Sequence, residues 1–134
     1  MKVMILAAGY GRRLLPLTEV TPKPLLEVNG KSLIQRNIET LISSGFDEFV
    51  INISYLGQMI KEHVSHTFPG IKISFSEEVE PLGTGGGVSA ALDILGKDTF
   101  VLINSDICHD INIKYSLVIP SKIFALNGPT KPKS

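Results

Sequence analysis

One cysteine, Cys108, is all that the sequence contains, which excludes an internal disulfide and any zinc cage built from cysteines, and suits a reducing cytoplasm. Net charge is also missing: 13 basic and 13 acidic residues cancel, so no global field draws the chain to nucleic acid or to an anionic membrane. Any anionic ligand has to be held locally. No apolar stretch reaches the roughly 20 residues needed to cross a bilayer. The early apolar run ending at Ala8 is cut by Gly9, Tyr10, Gly11, Arg12 and Arg13 too soon for a signal peptide. A soluble, cytoplasmic protein with no membrane or nucleic-acid partner is the expectation. No internal repeat is visible.

What is present suits a packed fold. Hydrophobic residues make up 43% of the 134 and charged residues 19%, far from the polar composition of disordered chains. A chain of this length buries roughly two-thirds of the surface that its unfolded form exposes. Val3 to Ala7 is continuously apolar, as expected of a strand covered on both faces. From Ala8 to Lys31, Pro16, Pro22 and Pro24 and glycines at 9, 11 and 30 predict a long loop in which neither helix nor ladder persists. Ser32 predicts the cap of a helix carrying Leu33, Ile34, Ile38, Leu41 and Ile42 on one face and ending at Gly45.

Phe49 to Ile53 follows as a strand, Leu56, Ile60, His63 and Val64 recur at helical spacing, and Pro69-Gly70 closes that helix. Ile71 to Phe75 alternates as a shorter strand, Val88 to Leu95 suits a third helix, and Thr99 to Asn104 is the next apolar strand. Strands alternating with helices imply an α/β, doubly wound, mostly parallel sheet with helices on both faces. Ligands of such sheets sit beyond the carboxyl ends of the strands, so the loops beginning at Ala8 and Ser105 are expected to face one crevice.

The first of those loops carries phosphate chemistry. Leu6-Ala7-Ala8-Gly9-Tyr10-Gly11 ends a strand in small residues that let backbone N–H groups approach a polyphosphate. It is neither of the common fingerprints, lacking the third glycine of a dinucleotide fold and the Gly-Lys-Ser/Thr of a P-loop. Arg13 offers a fixed fork of donors, and Lys23, between Pro22 and Pro24, a positioned point charge. Together Leu6-Ala7-Ala8-Gly9-x-Gly11-x-Arg13-x-x-Pro16-Leu17-Thr18 and Thr21-Pro22-Lys23-Pro24-Leu25 resemble the signature of the sugar-1-phosphate nucleotidyltransferases. Position 12, commonly small, hydroxylated or acidic in that family, is Arg12 here, either an added phosphate contact or a solvated charge.

The resemblance implies a Rossmann-like nucleotidyltransferase fold and roles for several further residues. Glu80-Pro81-Leu82-Gly83-Thr84-Gly85-Gly86-Gly87 reads on composition alone as a linker, but it lies between a strand and an apolar helix. In the family the matching segment contacts base and ribose, which marks Glu80, Thr84 and Gly85. With its Glu-Pro it looks closest to bacterial uridylyltransferases acting on N-acetylmuramate-1-phosphate or related sugars, and guanylyltransferases share much of it. Asp106, just past an apolar strand, suits Mg²⁺, which takes one or two carboxylates with water and phosphates. The resemblance assigns it to that metal, with a local turn bond as the plainer alternative; Asp110 is a weaker second candidate. His63 and His66 read as structural or solvent-facing, and Cys108-His109 beside Asp106 lacks the second cluster that a zinc site needs.

The implied reaction joins a sugar-1-phosphate oxygen to the α-phosphorus of a nucleoside triphosphate and releases pyrophosphate. The expected nucleotide-binding set is Leu6, Ala7, Ala8, Gly9, Gly11, Arg13, Lys23, Glu80, Thr84 and Gly85, with Arg13, Lys23 and Asp106 catalytic. UTP is favoured, GTP next. The resemblance covers residues 1–113 and leaves 114–134 as an atypical tail, where Lys114, Lys122, Lys131 and Lys133 follow the last acidic residue, Asp110. Family members continue with segments that supply the sugar pocket and a second metal carboxylate, so a truncated or frame-shifted member is expected. Three readings stay open: an active transferase, with an exposed sheet edge as a route to a homo-oligomer, a nucleotide-binding module without turnover, and a degenerate fragment.

Overall fold

A strand covered on both faces needs apolar residues at successive positions, and Val3, Met4 and Ile5 are all fully buried. They form the middle of β1, Lys2–Leu6. The computed structural model describes residues 1–10 and 15–105, with Thr84 as backbone alone, and the backbone of 117–120. After β1 come a small hairpin, β2 (Glu27–Val28) and β3 (Lys31–Ser32), then α1 (Leu33–Ser43), β4 (Glu48–Ile53) and α2 (Gly57–Thr67). β5 (Lys72–Glu77), α3 (Gly83–Leu95), β6 (Thr99–Asn104) and β7 (Leu117–Pro120) follow.

The main sheet has the order β5-β4-β1-β6-β7. Its first four strands are parallel, and β7 runs antiparallel along β6. Register sorts the side chains by face. Ile5 lies level with Ile51 and Ile103, and these pack with Ile34, Ile38 and Leu41 of α1 and Ile60 and Val64 of α2. Met4 lies level with Val50 and Leu102 and packs with Val88, Ala91 and Leu95 of α3 on the opposite face. The sheet is therefore doubly wound, with helices on both faces, as the alternating pattern predicts. Lys2 ties the far end of α3 down, its Nζ donating to the Ile94 carbonyl at 2.8 Å, where a cation complements the helix dipole.

Two details depart from the sequence reading. Between Ala8 and Lys31 the chain makes two 3₁₀ turns, Leu17–Glu19 and Lys23–Leu25, and the β2–β3 ladder. Asn29 (φ 52°) and Gly30 (φ 81°) make that ladder possible, because a tight hairpin turn needs positive φ at both central residues and Asn-Gly supplies it. Arg36 of α1 holds the hairpin by donating to the Val28 and Asn29 carbonyls. The third helix starts at Gly83, five residues before the expected Val88, so Gly85, Gly86 and Gly87 are wound into it. Burial of Val88, Ala91 and Leu95 outweighs the poor helix propensity of those glycines. α1 matches its expectation: Ser32 caps it, accepting from Gln35 N at 3.1 Å, and Gly45 follows its end at φ 99°.

Candidate functional site

Both crossovers through α1 and α2 lead from β1 toward one edge, by way of β4 to β5, whereas α3 carries the chain back across the other face to β6. The strand order thus reverses between β1 and β6, and the crevice at the carboxyl ends of those strands is where folds of this kind bind ligands. Ser105 N donates to Leu6 O at 3.1 Å, which carries the β1–β6 ladder up to the crevice. Asn37 of α1, 1% exposed, braces this corner by donating from Nδ2 to Ser105 O at 2.8 Å.

On the β1 side Ala7 and Ala8 are buried and Gly9 is exposed. A Cβ added to Gly9 would meet no atom of the described residues within 4 Å. Ala7 N is engaged, donating to Asn52 Oδ1 at 2.6 Å. Tyr10 packs its ring against Tyr55, centroids 5.4 Å apart, and Tyr55 Oη donates to Glu19 O at 3.0 Å. Lys23 opens the second 3₁₀ turn between two buried prolines, Pro22 and Pro24. Leu25 N bonds Pro22 O at 2.9 Å and Leu26 N bonds Lys23 O at 3.1 Å, so the backbone carrying this half-buried lysine is fixed.

The other wall is the start of α3. Leu82 N donates to Glu78 Oε2 at 3.0 Å, Gly83 turns the chain at φ 75°, and among the described residues no side chain caps the helix. Its first N–H groups, with the positive end of the helix dipole, lie at the carboxyl edge of the sheet. Glu80 stands exposed in the β5–α3 connection and Val79 is wholly exposed. Gly11, Arg12, Arg13, Asp106, Cys108, His109, Asp110 and the side chain of Thr84 lie outside the described residues. Among the described residues no group of three His, Cys, Asp or Glu could hold a metal ion, and no helix is long and apolar enough to cross a membrane.

His63 sits apart from this crevice. Its Nε2 lies 2.8 Å from Ser32 Oγ, and burial lowers its pKa from the ordinary 6.5, with Glu27 pulling the other way and His66 adding to the fall. It joins α2 to the start of α1, the structural part expected of it, and His66 is exposed.

Two side chains at the crevice, Asn52 and Glu78, are absent from the candidate set drawn from sequence. Asn52 Nδ2 donates to Glu78 Oε1 at 3.0 Å, and both residues are buried, at 3% and 8% exposed. A signal for Asn52 exists: it is the one polar residue in the apolar run Phe49 to Ile53, and a polar group buried in a strand needs a partner.

The model for the family described as nucleotidyl transferase matches residues 2–119. The chain belongs to that family. It is 45% identical over 114 residues to the N-acetylmuramate alpha-1-phosphate uridylyltransferase of Neisseria meningitidis serogroup B, covering 84% of this chain and 49% of that protein. It is 37% identical over 123 residues to the D-glycero-alpha-D-manno-heptose 1-phosphate guanylyltransferase of Campylobacter jejuni, covering 92% and 55%. Among solved structures, HddC from Yersinia pseudotuberculosis complexed with GMP-PN superimposes with a TM-score of 0.74 at 33% identity, over 84% of this chain and 51% of that one. The chain spans about half the length of these relatives.

Proposed function

We propose that this chain forms the nucleotide-binding region of a sugar-1-phosphate nucleotidyltransferase, residues 1–113, which transfers a nucleoside monophosphate from UTP, or next from GTP, to a sugar-1-phosphate. The observation that carries the proposal is the small-residue segment Ala8-Gly9, exposed at Gly9 and set at the point where the strand order reverses. The backbone from Ala8 to Gly11 cradles the triphosphate, with Leu6 and Ala7 forming its floor. Arg13 and Lys23 grip the phosphates and stabilise departing pyrophosphate, as positioned cations do in phosphoryl transfer. The start of α3, with Glu80, Thr84 and Gly85, takes the base and ribose.

The donor set suits Mg²⁺, since a lone strand-end carboxylate completed by phosphates and water is how that ion is usually held, rather than in an all-protein cage. Asp106 would hold it, and the ion would polarise the α-phosphate. The sugar-1-phosphate oxygen attacks the α-phosphorus as the bond to the pyrophosphate oxygen breaks, so alignment and charge neutralisation supply the catalysis. Because the chain spans about half of its relatives, binding without turnover is the second reading.

Titration with UTP, GTP, CTP and dTTP in the presence of Mg²⁺ tests binding, and pyrophosphate release with candidate sugar phosphates tests turnover. UTP is expected to bind tightest. Lys23→Ala and Asp106→Ala should each weaken binding about tenfold or more, the scale of one lost charged hydrogen bond. Affinity for none of the four nucleotides would sink the proposal, and variants that match the parent in binding and turnover would sink the site assignment.

A further inference from the structure

We propose that Asn52 and Glu78 are positioning residues that couple the two walls of the nucleotide crevice, fixing the phosphate-side loop and the start of α3 at one separation. This rests on the nucleotide-binding reading above. The connection is continuous. Ala7 N donates to Asn52 Oδ1 at 2.6 Å, Asn52 Nδ2 donates to Glu78 Oε1 at 3.0 Å, and Leu82 N donates to Glu78 Oε2 at 3.0 Å. Glu78 is itself anchored, its own N donating to Ile53 O at 2.8 Å.

Each end of this relay is a backbone N–H at the edge of a ligand-facing segment. Ala7 immediately precedes Ala8-Gly9, and Leu82 immediately precedes the first residue of α3. The chemistry of each member is dictated by its neighbours. An amide N–H at Ala7 demands an acceptor, so the oxygen of Asn52 faces it and the NH₂ group faces Glu78. Glu78 then has to accept at both oxygens, which a carboxylate does and a single carboxamide does not.

A glycine completes the arrangement. A Cβ on Gly87 would lie 2.6 Å from Asn52 Nδ2 and 2.9 Å from Glu78 Oε1, so α3 approaches the relay as closely as it does because position 87 has no side chain. Burying an amide and a carboxylate is costly unless both are fully bonded, and apolar residues of similar volume often serve stability as well. What the polar pair adds is direction: it orients two main-chain donors that apolar side chains cannot hold.

Exchanging the two functional groups provides the test. In Glu78→Gln one oxygen becomes a donor and a bond is lost, and in Asn52→Asp two carboxylates face each other. The double variant Asn52→Asp/Glu78→Gln restores every bond, with Asp accepting from Ala7 N and from the Gln amide, whose oxygen accepts from Leu82 N. Dissociation constants for Mg²⁺-UTP are measured well below each variant's Tm. Each single change should weaken binding about tenfold, equal to ~1.4 kcal/mol, and the double should return to within about threefold of the parent.

A purely structural role would lower Tm and leave affinity of the folded fraction unchanged, and that result overturns the inference. If a single variant does not fold, the double carries the test, and a folded double that binds about tenfold worse than the parent also overturns it. Failure of the underlying reading looks different: the parent itself would bind no nucleotide, and the inference would fall with it.

Discussion

The two glycine-bearing segments at the carboxyl edge of the sheet do different work. After β1, Gly9 stands exposed, with no atom of the described residues where a side chain would be. In α3, Gly87 is buried against Asn52 and Glu78, and a Cβ added to the half-buried Gly86 would lie 2.6 Å from Leu82 Cβ. Gly87 serves the inside, letting α3 sit tightly on the Asn52–Glu78 pair. On the proposed reading the glycines are of two kinds, one that admits a ligand and one that sets the distance between the parts admitting it.

Substitution by alanine separates the kinds. Gly87→Ala should have the largest effect, costing about 1–3 kcal/mol by overpacking in urea denaturation, together with weaker nucleotide binding. Unchanged stability would mean that α3 does not approach the relay so closely. Gly83→Ala comes next, at about 1–2 kcal/mol for forcing an L-residue to keep a left-handed backbone at φ 75°; a Tm equal to the parent's would remove the turn into α3 from the account. Gly9→Ala should stay within about 0.5 kcal/mol of the parent in stability yet weaken nucleotide affinity. Lower stability with unchanged affinity would reverse its assignment.

The smallest effect lies away from both segments and serves as a control. His63 has a folded pKa lowered from 6.5, so below that value the unfolded chain binds more protons than the folded one, and stability falls as pH is lowered. The contribution is fully present above 6.5 and is lost progressively toward the depressed folded value. His63→Gln should flatten this part of the pH–stability curve without changing nucleotide affinity. An unaltered slope would show that the Ser32–His63 contact carries none of it.

Legibility in the sequence followed burial. β1, β4 and β6 were readable within one residue because strands covered on both faces must be apolar at every position, and the cap at Ser32 was readable because its side chain answers a local need. The β2–β3 hairpin was hidden among prolines that seemed to forbid a ladder, though Asn29-Gly30 is a hairpin signal in its own right. The start of α3 was misplaced because glycine propensity argues against helix, while packing of residues further along decides the matter. Of the proposed site, Lys23 and Ala8-Gly9 are candidates that motif order alone suggests. Asn52 leaves a trace as the one polar residue of its apolar run, but its pairing with Glu78 is not legible, being a contact between residues 26 positions apart.

The central claim is one of place: a nucleoside triphosphate binds at the carboxyl ends of β1 and β6. Backbone amide resonances of the isotopically labelled chain, followed during titration with Mg²⁺-UTP and Mg²⁺-GTP, test it most directly. The account predicts that shifts concentrate at Ala7 to Tyr10, at Leu82 to Gly85 and at Asn104-Ser105, leaving Gly45 to Asp47 and Gly96 to Asp98 at the opposite end of the sheet unmoved. Shifts confined to that opposite end, or none with either nucleotide, would contradict it.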